Sequence, residues 1–239
     1  MDKLILVPEG REGICRQVYF RPIALQKMLM KIRLSRSRIS RVFTIAASLA
    51  GLHVSASAAW LDGGQPRIGI EAESERGANG AMHSRSLTLT PGINWQEGWI
   101  TVAELIFQVD REQDQATGAR ETRRKGGLRL RKDVYLMPEL AGTMRIFVGQ
   151  ASGANERYTY AYLEPGLRYE FDDVELAVGY RVIRTVDASR GHAVNELRLG
   201  PSFELSRHDE VEFRWVRGWD ALSQRFLSDS WSIEYTRKF

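Results

Sequence analysis

The sequence VEFRW at residues 211–215 and the terminal sequence WSIEYTRKF at residues 231–239 decide the fold of this chain. In both stretches an apolar residue alternates with a polar or charged one, and the second ends on an aromatic, Phe239. Because successive side chains of a β-strand point to opposite faces, this period of two predicts strands with one apolar and one polar face. Soluble sandwiches also alternate, so the meaning of these stretches depends on the rest of the chain.

The same alternation recurs along the chain after Trp60 and divides it into about ten predicted strands, with no predicted helix. They lie near residues 66–76, 82–95, 98–110, 120–131, 134–149, 157–171, 174–186, 194–206, 211–219 and 228–239. The predicted connections alternate between short turns, at 96–97, 132–133, 172–173 and 207–210, and longer loops, at 77–81, 111–119, 150–156, 187–193 and 220–227. This rhythm is typical of an outer-membrane barrel with short periplasmic turns and longer outer loops. Four prolines inside predicted strands have no explanation from the sequence, namely Pro91, Pro138, Pro165 and Pro201.

The two faces of each strand indicate which side meets lipid. In residues 157–171, Leu163 and Leu167 share one face, while Glu164 and Arg168 share the other. Charged side chains in hydrocarbon are costly, so the charged face must point inward. The sequence therefore predicts an all-β, antiparallel up-and-down transmembrane β-barrel of about ten strands, with twelve as the alternative. A soluble barrel of lipocalin type would place the apolar face inside and reverse every assignment.

Aromatic residues cluster beside the predicted ends of strands and suit interface girdles: Trp95, Trp99, Tyr169, Phe171, Trp215, Trp219 and Phe239.

The amino-terminal region resembles an export signal preceded by an unrelated extension. Residues 28–58 combine a basic start, a short apolar core at 42–54 and the small-residue sequence ASA at 56–58, a pattern typical of a cleaved signal peptide. We expect residues 1–27 to be a mis-assigned upstream extension and residues 59–239 to form the mature outer-membrane barrel. A membrane anchor or amphipathic helix at 28–58 is the alternative.

The net positive charge of the whole chain comes from that amino-terminal region. Of 34 basic and 30 acidic residues, ten and three precede Trp60, which leaves 24 basic and 27 acidic residues beyond it. A nucleic-acid partner is therefore not expected. The single cysteine, Cys15, also lies in the extension, and its loss suits an oxidising compartment.

The predicted inward faces carry both signs of charge. The basic groups are Arg67, Arg123, Lys125, Arg129, Arg131, Arg145, Arg168, Arg181, Arg198 and Arg214. The acidic groups include Glu71, Glu73, Glu104, Glu139, Glu164, Glu175, Glu196, Glu204, Glu212 and Glu234, and Tyr160 and Tyr162 share this face. A charged channel whose arginines bind the carboxylates of an acidic solute is one interpretation. A structural lattice of neutralised pairs that fills the barrel is the other, because the two signs are balanced.

Catalytic motifs are few. The best candidate is His192, with Asp187 and Ser189 in the same outer loop, and it would suit a barrel enzyme that hydrolyses lipid or peptide. No metal-ligand spacing or phosphate-binding loop is present in the sequence, so no metal or cofactor is expected.

Three stretches resemble the oligogalacturonate-specific porin family. They are Gly98-Trp99 after a Trp-bearing turn, the sequence MPEL at 137–140 and the sequence YLEPGLRY at 162–169. The resemblance, over roughly residues 66–239, implies a small monomeric outer-membrane barrel that passes acidic oligosaccharides through an arginine-lined pore. It assigns pore-lining roles to Arg129, Arg131, Arg145, Arg168, Arg181, Arg198 and Arg214. The chain departs from the family in strand number, since family members have twelve strands, and in Arg237 near the terminus.

The sequence thus predicts a monomeric, non-enzymatic porin of a Gram-negative outer membrane, inserted by the barrel assembly machinery and surrounded by lipid. Its predicted solutes are acidic oligosaccharides or similar small anions, bound in the pore by the seven arginines above together with Glu164, Tyr160 and Tyr162. A barrel enzyme and a plugged structural barrel remain the alternatives.

Overall fold

The computed structural model describes residues 63–96, 98–154, 156–186 and 193–239. These residues form ten strands: β1 (Gly64–Gly77), β2 (Met82–Trp95), β3 (Val102–Asp114), β4 (Arg120–Met137), β5 (Leu140–Ser152), β6 (Arg157–Phe171), β7 (Val174–Thr185), β8 (Ala193–Glu204), β9 (Asp209–Asp220) and β10 (Phe226–Lys238). A single 3-10 turn, Ala78–Gly80, follows β1. The predicted export signal, the upstream extension and the loop that holds His192 lie outside the described residues.

Each strand pairs antiparallel with its neighbours in sequence, and β1 pairs with β10, so that the sheet closes into a barrel. The closing pair runs from Arg67 opposite Lys238 to Gly77 opposite Ser228. The prediction of an all-β, antiparallel up-and-down barrel of ten strands is confirmed, and the alternative of twelve strands is wrong. No helix among the described residues is both long and apolar enough to cross a bilayer.

The two faces of the sheet have opposite chemistry. Large apolar side chains such as Leu105, Phe107 and Ile146 are about half exposed on the outside, whereas Glu104, Glu164 and Arg214 are buried on the inside. An apolar exterior around a charged interior is the arrangement of a transmembrane barrel, because lipid takes the place of a protein core around the outside. The soluble-barrel alternative is therefore wrong.

The turn between β4 and β5 differs from the prediction. The sequence predicted a turn at residues 132–133, but β4 continues to Met137 and the turn lies at Pro138 and Glu139. The polar pair that suggested a turn is satisfied within the strand: Lys132 Nζ donates to the carbonyl of Gly98, and Asp133 lies 3.1 Å from Arg131. Glu139 is consequently an exposed turn residue and does not belong to the inward face.

The other three prolines mark interruptions of the hydrogen-bonded ladder. The pairing of β2 with β3 is interrupted at Pro91, that of β6 with β7 at Pro165, and that of β8 with β9 at Pro201, and each resumes in the same register. Proline lacks a backbone N–H, so it is tolerated where the adjacent strand accepts no hydrogen bond from it. A glycine adjoins each of the three, and a Cβ on Gly200 would collide with the backbone of Phe213. These sites therefore allow the strands to bend and approach closely.

The predicted alternation of connection lengths holds in part. At one end of the barrel the connections 138–139 and 172–173 are tight turns and 205–208 is short, but the turn predicted at 96–97 is wrong, because β3 begins only at Val102 and the connection covers 96–101. At the other end the connections are 78–81, 115–119, 153–156, 186–192 and 221–225. Trp99, Tyr169 and Phe171 are exposed near the short turns, as an interface girdle requires. Trp215 departs from that pattern, since it lies in the middle of β9 and opposite Trp231.

Candidate functional site in the barrel interior

The residues predicted to line a pore all lie on the inner wall, where the strand period of two places them. Arg129 and Arg131 belong to β4, and Arg145 to β5. Tyr160, Tyr162, Glu164 and Arg168 belong to β6, and the rest of the set, Arg181, Arg198 and Arg214, comes from β7, β8 and β9. The sequence thus located the face of each side chain, but it did not indicate which of them meet.

Two larger cavities lie in the described part of the barrel interior, and a small one of about 20 Å³ adjoins Glu164 and Arg214. The cavity nearer the long loops has a volume of about 170 Å³, and its charged lining comprises Glu71, Glu73, Glu75, Asp110, Glu112, Glu196, Lys125, Arg129, Arg181 and Arg198. We call it the loop-side cavity. The cavity nearer the short turns, which we call the turn-side cavity, has a volume of about 320 Å³. Its basic lining comprises Arg67, Arg129, Arg131, Arg145, Arg168, Arg214 and Lys238, and its acidic lining comprises Glu104, Glu170, Asp172, Asp173, Glu175, Glu204, Glu210, Glu212 and Glu234. Arg129 lines both, so it lies at the partition between them.

Glu164 is the centre of one half of that partition. Its Oε1 accepts from Arg145 Nη1 at 2.8 Å, and its Oε2 accepts from Arg181 Nε at 2.6 Å and from Arg198 Nη1 at 3.2 Å. The register explains the first contact, because Arg145 is the direct partner of Glu164 across β5 and β6. Glu164 is only 3% exposed, so these contacts replace most of its hydration.

Arg214 has the complementary role on the other side of the barrel. It lies 3.0 Å from Glu71, 2.6 Å from Glu212 and 3.3 Å from Glu234. Glu71 and Glu234 are direct partners across the closing strands, and like charges so placed repel one another. The guanidinium of Arg214 between them offsets that repulsion, and it therefore stabilises the seam between β1 and β10.

An aromatic layer lies beside these charged groups and forms part of the wall of the loop-side cavity. Phe147, 1% exposed, stacks on Tyr162 with ring centroids 5.0 Å apart. The guanidinium of Arg181 lies 3.9 Å above the Tyr162 ring. A Cβ on Gly149 would collide with the Phe147 ring, so this glycine makes room for it. Phe147 was not among the predicted pore-lining residues, although it is two positions from Arg145 along β5 and therefore shares its inward face.

The arginines of the turn-side cavity pair with carboxylates of the protein. Arg67 Nε lies 3.5 Å from Glu104, Arg131 Nε lies 3.1 Å from Asp133, and Arg168 Nη2 lies 2.7 Å from Glu175. The buried Nε atoms of these three arginines do not meet the geometry of a hydrogen bond to any described residue. Their ion pairs are therefore less directional than the bonds that Glu164 accepts.

The histidines of the described chain lie away from these cavities. His83 Nε2 accepts from Arg85 Nε at 3.4 Å near the loop end of β2. His208 is exposed in the turn before β9. His192, Asp187 and Ser189, the catalytic candidates of the sequence, are outside the described residues. Among the described residues, no cluster of three or more His, Cys, Asp or Glu side chains could hold a metal ion.

No protein-family model matches the chain, and no curated protein matches it either. Among solved structures, it is similar to the translocator domain of the autotransporter NalP from Neisseria meningitidis, with 13% identity, a TM-score of 0.43, and coverage of 85% of this chain and 96% of that one. An outer-membrane channel from Pseudomonas putida F1 gives 10% identity and a TM-score of 0.49, over 74% of this chain and 95% of that one. A KdgM porin in complex with disordered oligogalacturonate gives 11% identity and a TM-score of 0.37, over 72% and 99%. These similarities concern the barrel fold, and none of them identifies a solute for this chain.

Proposed function

We propose that this protein is a narrow channel of a Gram-negative outer membrane that admits small anionic solutes. The apolar outer wall supports placement in a membrane, and the long loops at one end support an orientation with both ends of the barrel chain on the periplasmic side. Outer-membrane lipid and the barrel assembly machinery are then its partners, and it acts as a monomer.

The observation that carries the anionic solute is the group of arginines in the turn-side cavity. Arg67, Arg131 and Arg168 all line this space, and each is paired with a carboxylate of the protein. Guanidinium groups bind carboxylates in directional, charge-assisted contacts. A carboxylate of a passing solute can compete with the protein carboxylates for these guanidinium groups.

The size of the cavity limits the solute. Small-molecule sites generally measure about 300–1,000 Å³, and the turn-side cavity, at about 320 Å³, lies at the lower end. It suits one sugar-sized acid or a similar small anion. For passage of an acidic oligosaccharide, as the family resemblance implies, the contacts at Glu164 and Arg214 would have to open.

A plugged structural barrel is the second candidate, and the partition itself favours it. Glu164 with its three arginines and Arg214 with its three glutamates lie between the two cavities. Acidic residues also outnumber basic ones in the charged lining of both cavities, by six to four in the loop-side cavity and by nine to seven in the turn-side cavity, which does not favour entry of an anion. Against a sealed lattice stands the open volume of the two cavities, about 170 and 320 Å³.

Planar-bilayer recording separates the two candidates. We expect the wild type to conduct, with preference for chloride and the anion of a monomeric uronic acid over potassium. In Arg131→Gln with Arg168→Gln, the anion-to-cation permeability ratio should fall roughly fivefold, as the loss of about 1 kcal/mol of favourable contact predicts. Arg157→Gln with Arg184→Gln, which removes two exposed arginines from the outer wall, is the matched control and should keep the wild-type ratio.

Two results would contradict the proposed anion channel. A folded wild type that shows no conductance would support the plugged barrel. A preference for cations that the double variant leaves unchanged would retain the channel but contradict the anionic solute. Heat-modifiable migration on a gel establishes that each variant is folded before it is recorded.

A further inference from the structure

The outer wall of the barrel carries a cluster of arginines at its loop end. Arg76, Arg85, Arg111 and Arg124 belong to the consecutive strands β1, β2, β3 and β4, and all four are exposed. We call this set the outer arginine patch. Each shares the outward face of its strand with apolar residues, so the patch belongs to the lipid-facing wall and not to the interior.

The register brings the members of the patch together. Arg85 and Arg111 are direct partners across β2 and β3. Arg111 is opposite Thr122, so Arg124, two residues further along the same face, is its diagonal neighbour. Arg76 is opposite His83 and is likewise diagonal to Arg85. Direct cross-strand neighbours have Cβ atoms about 4.5–5.5 Å apart, and like charges at that distance destabilise a sheet.

No carboxylate of the described chain neutralises the centre of the patch. The outward faces of β2, β3 and β4 carry no acidic residue in the part of the chain that the structure describes. Asp229 is opposite Arg76, but its carboxylate already accepts from Arg217 at 2.8 and 3.0 Å. Arg85, Arg111 and Arg124 make no ion pair with any described residue, and Arg85 donates a hydrogen bond to His83. The patch thus has the charge and the free donors to bind an anion from outside.

The position of the patch indicates where that anion comes from. One step toward the middle of the barrel on the same face, Leu87 is opposite Val109, and both are exposed. Leu128 continues this apolar belt on β4. The arginines therefore lie at the edge where a lipid-facing wall meets the polar headgroup layer, at the end with the long loops.

We propose that the outer arginine patch binds the phosphate groups of a phosphorylated lipid in the outer leaflet. Guanidinium forks bind phosphate bidentately, and a phosphate between Arg85 and Arg111 turns their repulsion into two charge-assisted contacts. The acyl chains of the same lipid would then lie along Leu87, Val109 and Leu128. This inference rests on the membrane placement proposed above and not on conduction by the lumen.

Binding to the purified barrel in detergent, followed by native mass spectrometry, tests the proposal. The probes are bisphosphorylated lipid A, the same lipid with its phosphates removed, and inorganic phosphate. We expect lipid A to bind, and either the loss of its phosphates or the substitutions Arg85→Gln, Arg111→Gln and Arg124→Gln together to weaken binding by about tenfold or more. The control carries Arg157→Gln, Arg184→Gln and Arg225→Gln, which remove three exposed charges elsewhere, and should bind within about twofold of wild type.

Three results would overturn the proposal: equal binding of lipid A by the patch variant and the wild type, equal binding of the phosphate-free lipid, or saturation of the patch by inorganic phosphate alone. Arg111→Glu provides a check that does not depend on loss of stability. It places opposite charges across β2 and β3, so the variant should resist heating in lipid-free detergent at least as well as the wild type and yet lose affinity for lipid A. Unchanged affinity in this variant would also contradict the proposal.

Discussion

Glu164 shows how a single carboxylate organises the interior. It accepts from Arg145, Arg181 and Arg198, which come from three different strands, so one side chain connects β5, β7 and β8 to β6. In water each such contact would be weak, but a buried charge that loses its partners retains most of its desolvation cost. The stability of this part of the wall therefore depends on the Glu164 carboxylate more than on any one of its three arginines.

Glu164→Gln should accordingly destabilise the folded barrel, by about 1–3 kcal/mol, because three guanidiniums lose their common anion. The measurement is the temperature at which the heat-modifiable band is lost. Glu204→Gln is the matched control, since the Glu204 side chain is 66% exposed and lies 3.8 Å from Lys238, and it should melt like the wild type. If both variants melt together, the Glu164 group is not a structural element, and its arginines are free to serve the solute.

At the scale of strands, the alternation of apolar and polar residues predicted which way each side chain points. It did so because the outer face of this sheet is apolar and the inner face is charged. A shift of one residue in β6 would place Glu164 on the lipid-facing side and Leu163 on the inside, so the pattern determines which face points inward. The boundary of β4 was not predictable in the same way, because Lys132 and Asp133 resemble a turn until their partners, Gly98 and Arg131, are known.

The cross-lumen contacts were also beyond the sequence. Arg214 reaches Glu71, which is 143 positions away, only because β1 closes on β10 in a particular register. Strand stagger determines which charged groups share a level in the barrel, and a pattern of period two carries no information on stagger. The sequence therefore yields the composition of the interior, whereas its pairing requires the closed structure.

The end of β10 contributes to closure of the barrel, and this contribution can be tested. Phe239 donates its backbone N–H to the carbonyl of Pro66 at 2.9 Å, beyond the last residue of β10. Deletion of Phe239 should reduce the yield of folded barrel, because it removes this hydrogen bond between the chain end and β1 and an unpaired edge is costly in lipid. Phe239→Ser keeps the backbone N–H and removes only the aromatic ring, and it should reduce the yield because the ring no longer contacts lipid at the end of the barrel.

The assay for this prediction is the amount of heat-modifiable band in outer-membrane preparations. Leu222→Ser is the control, because Leu222 is 86% exposed in a loop and should be dispensable. Equal folded yield for the Phe239 variants and the wild type would show that the last residue does not contribute to closure.

At the scale of the whole barrel, the two ends carry different surface residues, and this difference favours one orientation in the membrane. The girdle residues Trp99 and Tyr169 lie near the short turns, the outer arginine patch lies near the long loops, and the apolar belt lies between them. Lipid solvation of the belt determines the depth of the barrel in the membrane. We expect the longer loops to face outward and the short turns to face the periplasm, as in other outer-membrane barrels.

Cysteine labelling of intact cells tests this orientation directly, because the described residues contain no cysteine of their own. Ala116→Cys lies in the exposed loop between β3 and β4, and Arg207→Cys lies in the exposed turn between β8 and β9. A membrane-impermeant maleimide should label the first variant on intact cells and the second only after the outer membrane is permeabilised. The unsubstituted protein reports any labelling at Cys15. The reverse pattern would invert the barrel, and it would place the outer arginine patch in the periplasmic leaflet instead of the outer one.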